Sequence, residues 1–168
     1  MSGTYAYTLS IWPSVLMVLL MVALAGYSAR RRNVPGATSL MVASLFAAAW
    51  AFGSLLEAAA LNPGTKILWF KFTAIVQLPM VVATTCFVLE YAWPGRWLSR
   101  RNLALLSLPI LMSIVIIVTD DRYHLAWRGF LVNGSVQPEL STGSWLSALY
   151  FLGILGALNL IVLGWLFL

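Results

Sequence analysis

Apolar residues fill long blocks of this chain, at positions 8–29, 37–61, 66–92, 103–119 and 144–168, and polar residues gather in the joints between them. A helix needs about 20 predominantly apolar residues, in a range of roughly 17–25, to cross the hydrocarbon core of a bilayer. Each block is long enough to span. The pattern predicts five spans in one polytopic bundle, a single domain over residues 1–168. The joint at 120–143 departs from the others, because a loop this long in a compact protein usually has structure or function of its own. Within it, 127–132 and 135–138 flank Asn133-Gly134, the dipeptide that favours a type I′ hairpin turn.

Composition removes the soluble alternatives. The chain is 61% hydrophobic and 9% charged, with a mean hydropathy of +0.90, whereas a soluble domain needs a charged, mixed surface. The net charge of +5 would suit nucleic acid if it were gathered on one face, but its distribution follows the joints. Arg30, Arg31 and Arg32 follow the first block and Arg96, Arg100 and Arg101 the third, two joints on the same side of the membrane. The other side holds Lys66, Arg122 and Arg128, diluted by Asp120, Asp121 and Glu139. Arginine-rich loops stay cytoplasmic. The N-terminus and the hairpin are therefore expected outside, with the arginines as topology signals and anionic-lipid contacts rather than a nucleic-acid surface. A cleaved leader is not expected for the first block, whose basic cluster follows the apolar run instead of preceding it. The expected fold is an all-α membrane protein with five spans and a small extracellular β-hairpin.

Local features refine this picture. Tyr5, Tyr7 and Trp12 suit an outer aromatic belt. Pro35 and Gly36 close a short joint, which makes the first two helices antiparallel neighbours. Ala43, Ala47, Ala51, Ser54 and Ala58 give the second span a small-residue surface for close packing, and Gly153 and Gly156 offer the same in the fifth. Asn62, Pro63 and Gly64 stop one helix, with Thr65 as the cap of the next. Pro79 removes a backbone hydrogen bond in mid-span, where a kink is expected. Trp93 and Trp97, interleaved with the arginines of their joint, suit an interfacial segment.

Few residues offer chemistry. Cys86, the only cysteine, lies inside the third block and reads as a small packed hydrophobe, without disulfide or metal cluster. His124, the only histidine, sits in the outer loop as an exposed residue rather than a metal ligand. Charged groups inside a bilayer are costly and so need a reason. Glu57 and Glu90 have two: snorkelling or pairing near the interface, with Arg96 in reach of Glu90, or a ligand or proton role. Gln77 is the one polar step between them on the third span. No Gly-rich phosphate loop, Ser nucleophile elbow or HExxH is present, so no catalysis, metal or cofactor is expected in this segment.

Several short motifs together resemble the N-terminal seven-transmembrane sensor region of bacterial and archaeal histidine kinases. They are Arg32 with Pro35-Gly36-Ala37, Trp50 and Glu57, the stretch from Lys66 to Trp69, Pro79 followed by Glu90-Tyr91, and Thr119 to His124 with Trp127 and Gly143. Phe72 and Ala74 depart from it, standing where Tyr and Gly are common in that family. The resemblance implies a sensory input domain in the cytoplasmic membrane of a bacterium or archaeon. It also implies two further spans and a kinase or other output domain beyond Leu168, and a homodimer formed through the full-length kinase. Its stimulus would be an unknown small molecule or physical signal, with Glu57, Gln77, His124, Trp127 and Asn159 as sensing candidates. A small transporter subunit, which would need an internal repeat with broken helices, and a structural membrane subunit are the alternatives. Single-cysteine labelling in a Cys86→Ala background checks the topology. Asn133→Cys should react with an impermeant maleimide on intact cells, and reaction only after lysis reverses the orientation.

Overall fold

The computed structural model describes residues 5–6, 11–96, 99–133 and 135–167, with the backbone alone at 163, 166 and 167. Tyr7, Trp97, Gly134 and Leu168 lie outside the described residues. The described residues are 78% helical. Helix α1 spans Ile11–Arg30, α2 Ala37–Ala59, α3 Pro63–Ala92 and α4 Arg100–Val118. A short α5, Asp120–Tyr123, leads into β1, Trp127–Asn133, and β2, Ser135–Leu140. Helix α6, Thr142–Ala148, a π-helical segment, Leu149–Leu155, and α7, Gly156–Phe167, then run on as the last span. Five helices are long and apolar enough to cross a membrane, as expected. The hairpin shares one end of the bundle with the α2–α3 turn, and the arginine joints share the other.

Capping moves two helix starts from their expected places. Helix α3 begins at Pro63 because Asn62 caps it, its side chain accepting from the Gly64 N–H at 2.8 Å, and proline at the first helical position forfeits no bond. The cap is Asn62, not Thr65. Helix α4 begins at Arg100 behind Ser99, whose hydroxyl accepts from the Asn102 N–H at 3.2 Å. At 30 residues α3 is about 45 Å long and stays helical through Pro79. It is the hub, packing against α2, α4, β2, the π-helical segment and α7.

Helix α2 lies between α1 and α3 and buries only small residues, among them Ser39, Ala43, Ser44, Ala48, Ala51 and Gly53. Ala58, expected in that stripe, is exposed. The closest approach is at Gly53, where a Cβ would fall 2.7 Å from both Phe72 Cδ1 and Thr73 Cγ2. Gly153 and Gly156 do not pack in this way: Gly153 faces outward with nothing within 4 Å of its Cβ position, and Gly156 opens onto a cavity. Between α3, α4 and the last span the core is Val82, Cys86, Ile110, Phe151 and Leu155. Polar ties cross it. Asn159 Nδ2 donates to Thr85 Oγ1 at 2.9 Å, the Ser113 and Ser147 hydroxyls meet at 3.2 Å, and Tyr150 donates to the Leu106 carbonyl at 3.3 Å. Such bonds contribute on the order of 0.6 kcal/mol each in membranes. Glu90 accepts from the Ser39 hydroxyl at 3.2 Å, so the partner shown for it is on α2 and is not Arg96.

Ahead of α1, the Ala6 N–H donates to the Ala59 carbonyl at 2.8 Å and Tyr5 pairs with Ala60. The Trp69 indole donates to the Tyr5 hydroxyl at 3.1 Å. The hairpin pairs Val132 with Val136, Phe130 with Pro138 and Trp127 with Leu140, in antiparallel register. Its root is held by Asp120, only 2% exposed, whose Oδ1 accepts from the Ala126 N–H at 2.7 Å and the Trp127 N–H at 3.0 Å. The Ala126 carbonyl in turn accepts from the Ser141 N–H and the Ser144 hydroxyl. Asp120→Ala strands two buried N–H groups, a penalty of roughly 1–3 kcal/mol per unpaired group. It should make the hairpin a target in limited proteolysis. Asp120→Asn, which keeps an acceptor oxygen in place, should restore most of the protection.

Candidate functional site

Two cavities lie side by side beneath the hairpin. The smaller, about 270 Å³, is lined by Trp50, Ser54 and Glu57 of α2, by Phe70, Thr73, Ala74 and Gln77 of α3, and by Val136 of β2. Helical spacing explains the set: 50, 54 and 57 fall on one face of α2, and 70, 73, 74 and 77 on one face of α3. The larger, about 460 Å³, is walled by α3, by Ser113, Ile116 and Ile117 of α4, and by Ser147, Phe151 and Leu152 of the last span. Trp127, Pro138 and Leu140 roof it. Its surface is almost wholly apolar. Phe70, Ala74 and Gln77 line both cavities and form the partition between them.

Hydrogen bonding gives the smaller cavity its character. Ser54 donates to its own helix at the Trp50 carbonyl, 3.0 Å, and Thr73 to the Phe70 carbonyl, 2.8 Å. With those hydrogens committed, both hydroxyls have only lone pairs left to offer. The Glu57 carboxylate lines this cavity together with Val136 of β2. Among the described residues the Gln77 amide makes no hydrogen bond.

The sequence-derived candidates are thus partly brought together. Glu57 and Gln77 share the smaller cavity, and Trp127, 5% exposed, stands on the wall of the larger. His124 does not join them: it is exposed, in the left-handed conformation at φ 49°, where it ends α5 and turns the chain toward β1. Asn159 lies deeper, tied to the fully buried Thr85, with its Oδ1 buried and unpartnered among the described residues. The arginines at 30, 31, 32, 96, 100 and 101 are all exposed, at the end away from the cavities. Sequence reasoning missed Ser54, Thr73 and Phe70, although their spacing from Glu57 and Gln77 carried the signal. It also missed Lys71, which pairs with Asp121 while its ammonium stands 5.8 Å from the Trp127 ring centre and 5.6 Å from that of Phe130.

A family model described as the N-terminal 7TM region of histidine kinase matches residues 13–168. The chain belongs to that family. Neither curated proteins nor solved structures gave a match. The family is the membrane sensory input region of these kinases, so the chain is a multi-pass sensor-type membrane segment in contact with lipid. Five spanning helices stand in the described residues, against the seven of the family's description.

Glu57 is the carboxylate in the lining of the smaller cavity, with Val136 of the hairpin in the same lining, and polar contact there sets what its substitution should do. Glu57→Gln keeps an acceptor and should leave stability nearly unchanged, while Glu57→Leu should lose on the order of 1 kcal/mol, the scale of membrane hydrogen bonds. Unfolding in mixed micelles at graded denaturing detergent would measure both.

Proposed function

We propose that this segment is the sensory input domain of a two-component histidine kinase, detecting its stimulus in the paired cavities beneath the hairpin. The observation that supports this most directly is that the larger cavity takes its walls from α3, α4, the hairpin and the last span together. An occupant there touches these four at once, and the last span leads from that cavity toward the arginine end. Binding energy that differs between two arrangements of these helices is what moves the population from one to the other. In this reading the hairpin faces outside, the arginine end faces the cytoplasm of a bacterium or archaeon, and the protein works as a homodimer through its kinase.

Filling the cavity tests the proposal. Ala148→Phe places a ring in the space lined by Ser147, Ala148 and Leu152, and should fix the output of the native gene product at one level whatever the stimulus. A phosphorylation-dependent reporter, read at equal protein in the membrane, checks it. An unaltered response to stimulus in that variant rules the cavity out as the point of detection.

A further inference from the structure

The two cavities differ in chemistry in a way that selects a ligand. One is apolar and large enough, at about 460 Å³, to stand within the usual size of small-molecule sites. The other presents oxygen acceptors: the Glu57 carboxylate and the lone pairs of Ser54 and Thr73, whose own hydrogens are spent on backbone carbonyls. Between them stands Gln77, a mid-span amide with no hydrogen bond among the described residues and access to both spaces. Its side chain is exposed rather than packed into the bundle, so a polar group on a bound molecule can reach its amide. The phenyl ring of Phe70, shared by both cavities, supplies a flat wall at the same point.

We infer that the site binds an amphiphile with a hydrogen-bond-donating head, hydroxyl or ammonium, held by Glu57 and Gln77, and an apolar tail lying in the larger cavity beneath Trp127. The carboxylate sets the sign. A carboxylate or phosphate head would bring like charge against Glu57, an unfavourable juxtaposition, whereas an O–H or N–H donor meets acceptors already oriented by α2 and α3. The inference rests on the cavities being the sensing site, but its test does not use signalling.

The test is direct binding to the full chain in phosphatidylcholine nanodiscs, read as the rise in unfolding temperature with decanol, decylamine and decanoate at matched bilayer concentrations. Decanol and decylamine should each bind about tenfold or more tightly than decanoate, a difference of about 1.4 kcal/mol. The stronger of the two names the head as hydroxyl or ammonium. Ala148→Phe should abolish the rise with all three amphiphiles, which separates the site from general partition into lipid. Glu57→Gln, which keeps the side chain's shape and one acceptor oxygen but removes the charge, should admit decanoate. Equal binding of all three by the unmodified chain, or binding that Ala148→Phe leaves unchanged, would overturn the assignment. In that case a response still blocked by Ala148→Phe in the reporter would leave the sensing site in place with a different occupant.

Discussion

In hydrocarbon a helix gains nothing by exchanging lipid for another apolar side chain, so helices associate only where their backbones come close enough for packing and polar contact to add up. Every other feature of this protein follows from meeting that condition along α3. Helix α2 meets it with alanine, serine and the bare backbone of Gly53 against Phe72 and Thr73. Its large residues, such as Leu45 and Phe52, stay on the outside. On the other flank the last span meets it differently, with bulkier Phe151 and Leu155 and with side-chain hydrogen bonds to α3 and α4. The looser second solution leaves the larger space beneath the hairpin. The larger cavity is what remains where close backbone approach is not achieved.

The spans were legible because the bilayer imposes a length and an apolarity that few other folds share. The hairpin was legible from Asn133-Gly134 and the strands beside it. Boundaries were less so, since Asn62 and Pro63 act through a backbone geometry that composition does not reveal, and Thr65 looked equally fit to cap. Gly153 and Gly156 misled for a different reason. Small residues permit close packing without compelling it, and in this bundle the last span turns them toward open space.

At the site, Glu57 and Gln77 stood out because polar atoms in a span need partners, and Trp127 because it stands just after the Thr119–His124 stretch of the family resemblance. What the sequence hid is the partnership. Asp120 read as one more surface charge, yet it is the anchor of the hairpin root, because two N–H groups six and seven residues on converge on one of its oxygens. His124 drew attention for its chemistry and serves instead through its backbone. Such roles depend on where the loop folds back, a long-range fact with no local signature.

The pairing of residues 5 and 6 with the end of α2 divides the molecule mechanically. Because Ala6 is bonded to Ala59, Tyr5 to Ala60 and Trp69 to Tyr5, the first two helices are closed at one end by the clasp and at the other by the short Pro35-Gly36 joint. A loop closed at both ends resists sliding of one helix along the other. With α3 seated on its small residues, this half of the bundle behaves as a fixed frame. Helix α4 and the last span lie outside that closure: they join at the hairpin root and meet α3 across the core that borders the larger cavity.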